Sequence, residues 1–198
     1  NLSTVYMSQL SAYDGQPIGW SATMPLSQGG RRAPAAVTYG KYLYVIGGES
    51  SSGPTNTVLR TSTSDGSLVA WSSESNLPEV TARPTAVFVD DKLFVIAENA
   101  SVFYAKVTPS TGALSAWTRV KPIPAGLEDI DYFSASTYGN RIYVYKKSPS
   151  SALYYSTLLT NCTSNCNYIN ASCNYSTSGL KTLGATLIGS ASCNCSTT

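Results

Sequence analysis

The chain has 198 residues, which allows one domain, or one plus a tail, with a sizeable core. Charged residues make up 12% of it and the net charge is +2, which argues against the basic stripe of a nucleic-acid binder. There is no histidine, which excludes Ser-His-Asp and Cys-His nucleophile systems and any His-ligated metal. No apolar run approaches the roughly 18 residues a membrane span needs. No basic-then-apolar signal segment opens the chain. A secreted form would follow a removed leader, or be part of something longer.

In chain order, the first predicted strand is "TVYMSQL". A turn at Asp14-Gly15 leads from it into a strand ending at Trp20. Next comes "RAPAAVTYGKYLYVIGG", which reads as strand, tight turn, strand. The turn is Tyr39-Gly40-Lys41, because glycine and the Asn/Asp pair tolerate positive φ. "NTVLRTS" follows as a strand, then "STSDGSLVAW" ends at Trp71. "RPTAVFVDDKLFVIAEN" repeats the hairpin around Asp90-Asp91-Lys92, "SVFYAKV" is the next strand, and "TPSTGALSAW" ends at Trp117. "DYFSASTYGNRIYVYKK" is a third hairpin, turning at Tyr138-Gly139-Asn140, and "SALYYSTLL" at 151–159 is one more strand. The inner strands are rich in β-branched and aromatic residues, as strands are.

These segments form a repeat. Gly15, Gly66 and Gly112 each stand five residues before a tryptophan, and the tryptophans are 51 and 46 residues apart. Four short antiparallel strands about every 50 residues fit a propeller blade. Trp20, Trp71 and Trp117 are then expected to pack between blades, where a large ring buries much apolar area.

Over residues 4–160 the pattern resembles the Kelch family, in the variety whose blades carry an Asp-Gly turn, a tryptophan, a Leu-Pro pair, an arginine and a "YVIGG"-type strand. The resemblance implies an all-β fold of β-propeller blades, each of four antiparallel strands. It has drifted. The double glycine occurs once, at Gly47-Gly48, and its counterparts are Ala97-Glu98 and Lys146-Lys147. The arginine at Arg32 and Arg83 gives way to Asp131, which suggests an ion pair between Arg83 and Asp131 on neighbouring blades. The copper site of galactose-oxidase relatives cannot be carried over without histidine. The strands amount to about three blades, whereas closed propellers have four to eight. The propeller is therefore completed by the rest of a longer chain, by further copies closing one ring, or by head-to-tail assembly into a filament.

Residues 161–198 change character. Lys181 is the one charged residue there, and the composition is Ser, Thr, Asn and Cys. Such a segment buries little apolar surface by itself, so an irregular tail is expected, with "GLKTLGATLIG" as one strand or a short helix. Cys162, Cys166, Cys173, Cys193 and Cys195 all fall here. Their spacing does not match zinc patterns, and a disulfide-bearing segment in an oxidising compartment fits better. Pairing Cys166 or Cys173 to Cys193 or Cys195 would staple the tail; the odd count leaves one thiol for another chain. Asn161, Asn170, Asn174 and Asn194 head Asn-x-Ser/Thr triplets, as do Asn1 and Asn99 outside the tail. All six are N-glycosylation acceptors in form.

Few groups could carry chemistry. Glu128, Asp129 and Asp131 lie close together, but without EF-hand spacing and with no second acid placed opposite for a glycosidase. "STSDGSLVAW" lacks the spacing of a sialidase Asp box. Arg31 and Arg32, in "GGRR", read as a solvated turn, with anion binding in that loop as the alternative. The expectation is an extracellular or cell-surface structural glycoprotein that self-associates, not an enzyme, with attached glycans and no cofactor, metal, nucleic acid or membrane span. The alternatives are a glycan- or protein-binding propeller module, or a fragment of a carbohydrate-active enzyme.

Overall fold

A computed structural model describes residues 2–64, 67–120, 122, 133–146, 152–157, 171–176 and 192–197. Among them the fold is all-β, with no helix and so none long and apolar enough to cross a membrane. The strands in chain order are β1 (Val5–Met7), β2 (Ser21–Thr23), β3 (Ala35–Tyr39), β4 (Tyr42–Ile46), β5 (Glu49–Ser50), β6 (Gly53–Pro54), β7 (Val58–Ser64), β8 (Ser67–Leu68) and β9 (Ser72–Ser73). There follow β10 (Thr85–Val89), β11 (Lys92–Ile96), β12 (Val102–Lys106), β13 (Thr118–Val120), β14 (Phe133–Tyr138), β15 (Arg141–Lys146), β16 (Ala152–Thr157), β17 (Ala171–Ser176) and β18 (Ser192–Thr197).

The strands make several small antiparallel sheets. β1 pairs with β2. A second sheet runs β3-β4-β7, and both β8 and β9 pair with β7. A third runs β10-β11-β12-β13, and a fourth runs β14-β15-β16. β5 and β6 form a small separate hairpin in the loop between β4 and β7. The three predicted hairpins turn on two residues each, Gly40-Lys41, Asp90-Asp91 and Gly139-Asn140. The first residue of each has φ between 51° and 55°, so a left-handed conformation is required there and an aspartate fills it once.

The strand before each tryptophan differs from expectation. It does not run unbroken into the ring. A single bridge (Leu10 to Pro17, Val107 to Leu114) or the two-residue β8 starts it, the chain then leaves the ladder, and pairing resumes just after Trp20, Trp71 and Trp117 as β2, β9 and β13. The tryptophans therefore stand in breaks of the edge strand.

The sheets stack, and their first strands lie side by side, with β10 touching both β3 and β14. Strand alternation sorts the core into layers. Tyr42, Tyr44 and Ile46 of β4 pack with Leu93 and Val95 of β11 between the second and third sheets. Phe94 and Ile96 pack with Ile142 and Val144 of β15 between the third and fourth. Val45 and Leu59 meet Val5 of β1 and enclose Trp71. β4 and β11 are covered on both faces, which is why "YLYVI" and "KLFVI" are nearly unbroken apolar runs rather than alternating ones.

The tail is not wholly irregular. β17 and β18 pair antiparallel over six residues each. The segment 179–189, expected as a strand or short helix, lies outside the described residues.

Candidate functional site

The joint between the second and third sheets is built from a turn that the sequence repeats. At residues 107–117 the Gly112 N–H donates to the Thr108 carbonyl (2.7 Å), Thr108 N–H donates to Ala113 (2.8 Å), and Ser115 N–H donates to Lys106 (2.9 Å). At residues 10–20 the same pattern recurs: Gly15 to Ser11 (2.9 Å), Ser11 to Gln16 (2.8 Å) and Ile18 to Gln9 (2.9 Å). Gly15 and Gly112 share a φ of 71°. In the first turn the Ser11 side chain and then the Gln16 N–H bond to the Asp14 carboxylate and hold it below its ordinary range.

The two turns meet different surroundings. A Cβ placed on Gly112 would stand 2.5 Å from the Tyr42 ring. The Tyr42 hydroxyl donates to the Ser110 carbonyl (2.7 Å) and the Tyr44 hydroxyl to Gly112 (2.6 Å). Burial pushes the Tyr44 phenol well above its ordinary value, which keeps it a neutral donor. Glu74 takes part too: one carboxylate oxygen accepts from Arg60 Nε at 2.6 Å and the other from the Leu114 N–H at 2.9 Å. Both side chains are largely buried, and a pair so satisfied on both oxygens tolerates burial. The Arg60 guanidinium also lies 5.5 Å from the centre of the Tyr42 ring, within cation–π range.

The tryptophans repeat one bond. Trp117 Nε1 donates to the Ser75 carbonyl at 2.8 Å, and Trp71 Nε1 donates to Met24 at 3.2 Å. Each acceptor stands four residues beyond the tryptophan of the preceding sheet. Trp71 is 9% exposed, whereas Trp20, expected to pack between blades, is 70% exposed, because no described sheet lies against its turn. No heavy atom comes within 4 Å of a Cβ placed on Gly15. Within this open turn Leu10, Tyr13 and Ile18 are exposed as well, Tyr13 almost completely, as is Tyr6 of the adjoining β1. These exposed apolar side chains, together with Trp20, make the open turn the candidate functional site.

The remaining sequence candidates fall as follows. Arg31 is not in a solvated turn. It is buried, and its guanidinium donates to the carbonyls of Gly47 (3.0 Å) and Thr57 (3.2 Å) and to Gln28. Desolvation lowers its pKa. Arg32 is exposed and pairs with Glu49. Asn99 lies exposed in the turn between β11 and β12, while its partner Ser101 is buried and its hydroxyl accepts from Arg119 at 2.9 Å. Asn174 and Asn194 are directly opposed in the tail hairpin, as are Cys173 and Cys195, and Cys193 is opposite Tyr175. Asn1, Asn161, Asn170, Cys162, Cys166, Glu128, Asp129 and Asp131 lie outside the described residues. The proposed Arg83–Asp131 pair therefore has only its Arg83 end described. Among the described residues no group of three His, Cys, Asp or Glu could hold a metal ion. Their acids instead serve structure, Glu79 bonding Arg119 and Asp91 bonding Lys92.

Sequence reasoning singled out the tryptophans and the turn glycines. It missed Glu74, whose role depends on a backbone N–H 40 residues away. No protein-family model matches the chain, and no curated protein matches it.

Proposed function

We propose that the chain is an extracellular structural glycoprotein, whose sheets are blades of a Kelch-like β-propeller and whose work is self-association. In this reading a second copy supplies the sheet that covers the open turn at residues 10–20. One observation carries it. The same turn is closed by a neighbouring sheet at residues 107–117 and open at 10–20, where Trp20 and Tyr13 are exposed. Covering the rest of one tryptophan contributes on the order of 3 kcal/mol, and a central aromatic ringed by apolar side chains is the usual anchor of an interface. Stacked antiparallel sheets, one of them four-stranded, with adjacent first strands favour a propeller over a sandwich. The five cysteines and six acceptor triplets favour an oxidising, glycosylating compartment.

The test is electron microscopy and analytical ultracentrifugation of the unreduced protein, wild type beside Trp20→Ser. Regular filaments, sheets or discrete oligomers in the wild type, reduced to monomers by the substitution with thermal unfolding unchanged, are the expected result. A wild type that stays monomeric up to its solubility limit overturns the reading.

A further inference from the structure

We propose that Cys173 and Cys195 form a disulfide that fastens β17 to β18. Strand register brings the two together. Along this hairpin Cys173 is opposite Cys195, Tyr175 is opposite Cys193, and Asn174 is opposite Asn194. Directly opposed residues of an antiparallel pair have Cα atoms about 4.5–5.5 Å apart, inside the roughly 4.4–6.8 Å that a disulfide spans. The competing pairs fit less well. Cys173 and Cys193 are diagonal neighbours, about 7–8 Å apart. Cys193 and Cys195 are two positions apart on one strand, about 6.6 Å along it, and a bridge between them would tie that strand only to itself.

The residues around the pair fit a bridged hairpin. Strand alternation places Ala171, Cys173, Tyr175, Cys193, Cys195 and Thr197 on one side and Ser172, Asn174, Ser176, Ser192, Asn194 and Ser196 on the other. The second side is wholly polar, the first adds only Ala171 and Tyr175 to the cysteines as apolar residues, and an isolated two-stranded hairpin is marginal in water even with an apolar face. A covalent cross-link supplies what packing does not. It also leaves both acceptor asparagines together on the side away from the bridge.

The chemistry balances through thiol–disulfide exchange. One cysteine thiolate attacks a sulfur of an external disulfide, either glutathione disulfide or an oxidoreductase's, forming a mixed disulfide and releasing one thiol. The second cysteine thiolate attacks the protein's sulfur in that mixed disulfide and releases the other thiol. Two protein thiols are oxidised, one external disulfide is reduced to two thiols, and the two protons pass to those thiols.

The full chain is equilibrated in a buffer of reduced and oxidised glutathione, free thiols are alkylated, and chymotryptic peptides are mapped without reduction. Cleavage after Tyr168 and Tyr175 separates Cys173 from Cys166, and fragmentation between Cys193 and Cys195 tells those two apart. A peptide joining Cys173 to Cys195 is the expected result. In Cys173→Ala the alkylated fraction of Cys195 should rise from near zero to near complete. Recovery of Cys173 as an alkylated thiol, or joined to Cys162, Cys166 or Cys193, overturns the proposal. The wild-type map decides the question even if the variant misfolds. The oxidant is supplied in the buffer, so the result is independent of where the protein resides and of whether it assembles.

Discussion

Residues 10–20 and 107–117 fold into the same turn and have opposite environments. Both have a glycine at φ 71°, the same backbone hydrogen bonds and a tryptophan at the end. At 107–117 the glycine supports a tyrosine ring and the tryptophan bonds to a carbonyl of the preceding sheet. At 10–20 the glycine faces open space and the tryptophan faces solvent. Local sequence therefore determines the turn, and the neighbouring sheet determines whether its side chains are buried. The turn sequence alone does not decide whether it is covered: Gly112 packs against Tyr42, and Gly15 meets no described neighbour.

The sharpest way to break this comparison is to truncate the tryptophans. Trp71→Ala should cost about 3–5 kcal/mol of stability, as buried tryptophan truncations do, because Trp71 lies among Val45, Leu59 and Val5. Trp20→Ala should cost the isolated chain under about 1 kcal/mol while it weakens association. Urea unfolding of both variants at low protein concentration gives the answer. Equal losses would mean that Trp20 is covered in the monomer as well.

The glycines come next. Gly112→Ala must fit a methyl group against the Tyr42 ring in a left-handed conformation, and should lose about 3 kcal/mol from overpacking plus strain. Gly15→Ala carries only the conformational cost, about 1 kcal/mol. The difference between the two midpoints of urea unfolding measures the close approach alone. If both variants lose the same amount, the Tyr42 contact carries no weight in the joint.

Much of this arrangement is legible in the sequence, and the exceptions have physical causes. The three hairpins are visible because Gly40, Asp90 and Gly139 stand between runs of β-formers, and the joints are visible because tryptophan and glycine recur in step. Arg31 is misread because its carbonyl partners, Gly47 and Thr57, come from β-strand connections distant in sequence. The tail hairpin is hidden because Ser, Asn and Cys carry no apolar alternation, and only strand register brings Cys173 opposite Cys195. If that bridge forms, closing a loop of about twenty residues contributes about 3 kcal/mol in the chain-entropy model, and dithiothreitol should lower the protease resistance of the tail without moving the main unfolding transition.

The smallest expected effect refines the comparison through pH. Tyr44→Phe keeps the ring and removes the hydroxyl that donates to the Gly112 carbonyl. Leaving that buried acceptor unpaired costs about 1–2 kcal/mol. The gap between wild type and variant should also depend on pH. Burial raises the Tyr44 pKa in the folded protein, while in the unfolded chain tyrosine ionises near its ordinary value of about 10. Above that pH the unfolded state binds fewer protons than the folded one, so stability falls as pH rises. The Tyr44 contribution is complete below about pH 10 and declines above it. Phenylalanine has no proton to lose, so the stability gap between wild type and Tyr44→Phe should be wide near neutral pH and narrow at strongly alkaline pH. A gap that stays constant across that range would mean the Tyr44 hydroxyl is open to solvent, and the closed turn would then differ less from the open one than its geometry indicates.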